Sequence, residues 1–92
     1  MKMLHADTVL RFSPVASMQS LGDGAVVLLA DSGQLYTCNE TTEAVLKLVD
    51  GQRSLGDIID VALERYETSR ATLEEDFTAI ALELVQEGIL QA

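Results

Sequence analysis

Acyl and group transfer by a nucleophile need a base within hydrogen-bond reach, and this chain has one histidine, His5, and one cysteine, Cys38. His5 falls in the first few residues, ahead of any patterned segment, where a solvated tail residue is the expectation. Cys38 has no cation beside it in sequence to lower its thiol pKa, so it reads as a small hydrophobe of a core or groove. Asp57, Asp60 and Glu64 share one helical face, but a hard cation needs further oxygen ligands and a turn closing around it, so a solvated acidic face is expected. Gly22-Asp23-Gly24 lacks the Gly-Lys-Ser/Thr ending of a phosphate loop and stands between two strand-like runs, as a hairpin turn does. No catalytic residue, metal ligand or cofactor site is assigned, and the chain is not expected to be an enzyme.

The chain has 92 residues and a formal net charge of -9, with Lys2, Arg11, Lys47, Arg53, Arg65 and Arg70 as its cations. That length suits one core without staples but not a core plus an enclosed catalytic cleft, so a small binding module is the natural class. Acidity on this scale argues against nucleic acid and anionic membrane surfaces as partners. A lone cysteine fits a reducing cytoplasm. The start, Met1 to Asp7, lacks the apolar run of a signal peptide, and no segment has the length of a membrane span.

Residues 1–8 are expected to form a flexible arm and residues 9–92 a single domain. Val9 to Phe12 reads as a short extended piece. Ala16 to Leu21, Ala25 to Ala30 and Gln34 to Cys38 then read as three strands joined by Gly22-Asp23-Gly24 and Asp31-Ser32-Gly33 into an antiparallel meander. Asn39 is a good N-cap for a helix over Glu40–Val49, with Ala44, Val45, Leu48 and Val49 on one face, a Glu43–Lys47 pair and Gly51 as a left-handed stop. Ser54 and Asp57 form a capping box for a second helix burying Leu55, Ile58, Ile59, Ala62 and Tyr66. A third helix starts between Ser69 and Leu73, Thr72 with Glu75 being the better capping box. Leu73, Phe77, Ile80, Ala81, Leu84 and Val85 form its stripe, and Gly88 ends it. The fold class is α+β: a three-stranded antiparallel sheet followed by three helices, in an order similar to a winged helix-turn-helix.

That topology invites a DNA-binding reading. The recognition helix, however, would set Glu74, Glu75, Asp76, Glu83 and Glu87 against a lone Arg70, when cations are what give DNA binders their affinity. A dimerisation module is the other alternative, and charge does not exclude it.

A meander leaves its last strand, Gln34 to Cys38, with unpaired backbone groups along one edge, where an extended peptide can add. Alternation puts Tyr36 and Cys38 on one face and Leu35 and Thr37 on the other.

The run from Leu35-Tyr36-Thr37-Cys38-Asn39-Glu40-Thr41 to Asp50-Gly51, then Ser54-Leu55-Gly56-Asp57-Ile58-Ile59, Glu75-Asp76-Phe77 and Gly88-Ile89-Leu90, resembles the PqqD-type peptide chaperones, or precursor-peptide recognition elements. The resemblance covers Ala16 to Leu90 and lies in order and spacing; Cys38 departs from it, standing where the family usually has leucine. It implies a non-catalytic protein holding the leader of a ribosomally made peptide between the third strand and the third helix. The implied site is Leu35, Tyr36, Thr37 and Cys38, with Leu73, Asp76, Phe77 and Ile80 as the helix wall; Phe77 and Ile80 could equally serve the core alone. It also places Tyr36 and Cys38 on the core side. The implied partners are a precursor peptide and a separate processing enzyme. A leader peptidase of a lasso-peptide pathway is favoured over the radical SAM enzyme of a pyrroloquinoline quinone-type pathway.

Overall fold

The computed structural model describes residues 4–92. Its main sheet is the expected meander, β2 (Ala16–Ser20), β3 (Ala25–Leu29) and β4 (Gln34–Cys38), antiparallel in the order β2-β3-β4. The period-2 rule decides the faces: Ala25, Val27 and Leu29 are buried, while Val26 and Leu28 turn outward. Between β2 and β3, Gly24 adopts φ +152°, and a side chain there would collide with the Cys38 carbonyl. Only glycine lets the two chains pass this closely.

Three helices cover the inner face: α1 (Glu40–Leu48), α2 (Leu55–Leu63) and α3 (Arg70–Gln86). Asn39 caps α1, its side chain accepting from the Thr42 amide at 2.9 Å. The Ser54–Asp57 box is reciprocal, at 3.1 Å and 3.0 Å. Phe77, Leu46, Leu55, Ile58, Leu84 and Ile89 fill the shared core.

Four local expectations are corrected. Ser69, not Thr72, caps α3: its Oγ accepts from the Thr72 amide at 3.2 Å while its hydroxyl donates to Thr72 Oγ1 at 2.9 Å, so the hydroxyl of Thr72 is engaged with the true cap. The first helix ends at Leu48, and Val49 caps it in an extended conformation. Gly51 therefore does not stop that helix; at φ +79° it turns the chain so that its amide meets the Leu10 carbonyl at 3.1 Å. Finally, α2 closes at Leu63, and Tyr66 stands beyond it, 39% exposed.

A second sheet joins the two ends of the domain. Its strands β1 (Arg11–Phe12) and β5 (Leu90–Gln91) pair antiparallel, with Arg11 opposite Gln91 and Phe12 opposite Leu90. This clamp carries Leu10, Ile89 and Leu90 into the core. Of the expected arm, residues 1–3 lie outside the described residues. In the rest, the Ala6 carbonyl accepts from the Gly56 amide at 2.7 Å and the Thr8 carbonyl from the Leu55 amide at 2.8 Å, both at the start of α2. No helix among the described residues is long and apolar enough to cross a membrane.

Candidate functional site

The direction of every backbone group in β4 follows from two hydrogen bonds at the far side of the sheet. The Leu21 amide donates to the Gly24 carbonyl at 2.8 Å, and the Ala30 amide to the Val15 carbonyl at 2.9 Å. Gly24 and Ala30 thus aim at the β2 side, and in an antiparallel ladder the direction alternates residue by residue. Ala25, Val27 and Leu29 therefore aim at β4, where the register sets them opposite Cys38, Tyr36 and Gln34. Leu35 and Thr37 are left with their amides and carbonyls turned to the free edge. The edge offers an extended chain two donors and two acceptors.

What distinguishes this edge from the opposite one, on β2, is the helix beside it. Gln34 shares a cavity with Val85 and Glu87, the Tyr36 hydroxyl donates to Glu83 Oε1 at 2.8 Å, and Thr41 shares a cleft with Leu73, Asp76 and Phe77. As β4 runs toward α1, α3 runs the other way, and the two form a groove. A larger cavity, about 710 Å³, lies beside Gln34 where α3 gives way to Gly88, Leu90 and Ala92, and is lined also by Ser13, Val15 and Leu29. A smaller cleft, about 250 Å³, lies between Thr41 of α1, the start of α3 and Tyr66, Glu67 and Thr68, with no residue of β4 in its lining.

The eight residues singled out from sequence divide by position along this groove. Leu35 is 65% exposed on the outer face of the sheet, with Thr37 beside it, so both reach the groove through backbone alone. Tyr36 and Cys38 turn to the helix side: Tyr36 is half-buried and crosses to α3, whereas Cys38 is 5% exposed. Leu73 and Phe77 are buried under the small cleft, Asp76 stands exposed at its rim, and Ile80 is half-buried against the core. The groove and its neighbouring cavities also draw on residues not placed there from sequence: Thr41, Tyr66, Glu83, Val85 and Glu87. Glu83 and Glu87 carried a signal, since they follow Asp76 by seven and eleven residues and share its helical stripe. Tyr66 did not, because the α2 periodicity had assigned it to the core.

The site is electrostatically one-signed. The carboxylate of Glu83, as hydrogen-bond acceptor, pushes the Tyr36 phenol up to about 12, with partial burial adding to the effect. Burial likewise raises the Cys38 thiol, and the charges of Glu43 and Glu83 raise it further. A thiol held protonated in this way is a poor nucleophile. Among the described residues no group of three or more His, Cys, Asp or Glu side chains is placed to hold a metal ion.

Comparison with known proteins identifies the fold and the family. The family model described as Coenzyme PQQ synthesis protein D (PqqD) matches residues 24–90. The PqqA binding protein of Methylococcus capsulatus is 37% identical over 67 residues, covering 72% of this chain and 71% of its own. Three solved structures share the fold. TbiB1 in complex with the TbiA(beta) leader peptide has a TM-score of 0.82 at 18% identity, covering 89% of this chain and 95% of TbiB1. A lasso peptide synthetase B1 complexed with its leader peptide reaches 0.79 at 24%, covering 90% and 98%. The PqqD portion of Methylobacterium extorquens PqqCD, a stand-alone recognition element for ribosomally synthesised, modified peptides, reaches 0.80 at 22%, covering 97% and 95%. With its meander, three helices and matched span from the β2–β3 turn to β5, this chain belongs to the PqqD family.

Proposed function

We propose that the protein binds the leader segment of a ribosomally made precursor peptide, which adds to β4 as a fourth strand and lies against α3. The observation that carries this reading is the outward backbone of Leu35 and Thr37, opening onto a groove walled by a helix. Leu35, Tyr36, Thr37 and Cys38 supply the strand; Leu73, Asp76, Phe77 and Ile80 supply the wall. Four strand hydrogen bonds at roughly 0.5 to 1.5 kcal/mol each and side-chain anchors in the two cavities offset the cost of ordering a disordered leader, about 2 to 5 kcal/mol. The binding is reversible, as delivery requires.

The protein does no chemistry on the peptide. It raises the concentration of the peptide at a separate processing enzyme, in the cytoplasm. A leader peptidase of a lasso-peptide pathway is the favoured partner, since two of the structural neighbours hold leader peptides, one of them as a lasso peptide synthetase component. The relative named for binding PqqA favours a second reading, service to a radical SAM enzyme of a pyrroloquinoline quinone-type pathway.

Titration of synthetic leaders of about twenty residues from neighbouring precursor genes, followed by amide NMR, tests the proposal. The Leu35 and Thr37 amides gain exchange protection on binding, while the Tyr36 amide, already bonded to β3, does not change. A bound leader that leaves Leu35 and Thr37 unprotected places the site elsewhere.

A further inference from the structure

Asp76, Ile80, Glu83 and Glu87 recur along α3 at spacings of four, three and four, so they form one stripe. Asp76 lines the small cleft, Glu83 accepts from the Tyr36 hydroxyl, and Glu87 lines the large cavity. Three of the cations among the described residues are engaged elsewhere. Arg70 bonds Asp60 and Glu74, Lys47 faces Glu43, and Arg53 faces Asp50. What meets Glu83 is a neutral phenol, held to one carboxylate oxygen.

Carboxylates on an exposed helix are ordinarily a solvated face. These stand beside a strand edge with unpaired backbone groups, an independent feature that takes an extended chain. The wall along which that chain must run carries negative charge at its middle and at both ends.

Resting on the leader-binding reading, we propose that the groove selects a cationic peptide segment, with Lys or Arg at two positions separated by one residue, paired to Glu83 and Glu87. The spacing follows from the two geometries. Four residues of helix advance about 6 Å, and two residues of an extended strand about 6.6 Å, so same-face side chains of the peptide keep step with this pair. Asp76 stands about 10.5 Å from Glu83 along the axis, which matches no same-face step of a strand, and it serves the small cleft instead. The Tyr36 hydroxyl is a stand-in donor: a peptide cation takes the free oxygen of Glu83 or replaces the phenol.

The test uses a displayed library of peptides of about ten residues, β-prone in background, with Lys, Gln or Glu at every position. Selection on the wild-type protein enriches Lys at two positions separated by one residue, and Gln at either position weakens binding by about fivefold. Glu83→Lys shifts the preference at one of these positions to Glu, and Glu87→Lys shifts it at the other. Glu74→Lys, outside the stripe, leaves the pattern unchanged. Thermal melts confirm that each variant is folded. Selected peptides that protect the Leu35 and Thr37 amides but show no cation preference, or a folded Glu83→Lys that still selects Lys at both positions, overturn the charge rule and leave strand addition standing. A library that yields no peptide bound at β4 overturns both.

Discussion

Tyr66 stands edge-on to Phe77, with ring centroids 6.4 Å apart and planes at 81°. The two rings divide the work of the small cleft. Phe77 is 1% exposed and belongs to the core, whereas Tyr66 is 39% exposed and covers it from the solvent side. A peptide side chain entering the cleft meets Tyr66 as a wall and reaches Phe77 only as a floor.

The two substitutions to alanine therefore separate. Phe77→Ala opens a cavity among Leu73, Leu84 and their neighbours and costs about 3 to 5 kcal/mol of stability. Tyr66→Ala loses an edge-to-face contact of roughly 0.5 to 1.5 kcal/mol, keeps the fold and weakens leader binding. Urea denaturation and leader titration on the same samples measure both effects. Unaltered leader affinity in a folded Tyr66→Ala protein removes the small cleft from the site.

Elements specified by nearby residues were legible before the structure. Asn39 and the Ser54–Asp57 box announce two helix starts, and the hydrophobic run Ala25 to Leu29 announces the central strand, because each signal acts within a few residues. The start of α3 was ambiguous, since Ser69 and Thr72 are both competent caps and only the observed hydrogen bonds decide between them. The clamp of β1 with β5 was not legible: two-residue strands at opposite ends of the chain have no period to detect, and their pairing is a tertiary event. Of the groove, the strand side could be read from alternation, while the helix side needed the resemblance for Phe77 and the structure for Glu83 and Tyr66.

Glu43, expected from sequence to pair with Lys47, is 7% exposed, with no hydrogen-bond partner for Oε2. Lys47 Nζ approaches it at 3.6 Å. Lys47→Ala leaves this carboxylate unpaired in the protein and costs about 1 to 3 kcal/mol, more than the roughly 0.3 to 0.5 kcal/mol of an exposed pair one helical turn apart. Glu43→Met, which removes the charge and keeps the length, is neutral or stabilising. Chemical denaturation midpoints decide the matter; equal losses for both variants would mean that the pair acts as an ordinary surface bridge.

The Tyr36–Glu83 bond has a pH signature. The folded-state pKa of Tyr36, about 12, lies above its ordinary 10, so the fold favours the neutral phenol. The resulting stabilisation is fully present below pH 10 and is lost as pH rises through the folded value near 12. Phenolate absorbance in a Tyr66→Phe background isolates this transition. Glu83→Gln removes the charged acceptor and moves the midpoint down toward 10. A midpoint that does not move in Glu83→Gln shows that the hydrogen bond is not its cause.

Backbone direction in β4 gives the sharpest test, because proline deletes one amide and its consequence depends on where that amide points. The Tyr36 amide faces Val27 inside the sheet, whereas the Thr37 amide faces the free edge. Proline is tolerated in a strand only at such outward positions. Tyr36→Pro breaks a ladder bond and displaces a side chain that ties β4 to α3, so the sheet is lost. Thr37→Pro stays folded, since the Thr37 side chain is on the outer face, but it removes one of the two donors the edge offers to a leader. Amide NMR spectra report the fold, and titration reports a loss of affinity of up to about tenfold for Thr37→Pro, about 1.4 kcal/mol, near the top of the range for one hydrogen bond. Thr37→Ala, which keeps the amide, binds like the wild type. If Thr37→Pro is folded and binds a cognate leader at wild-type strength, the peptide does not add to this edge.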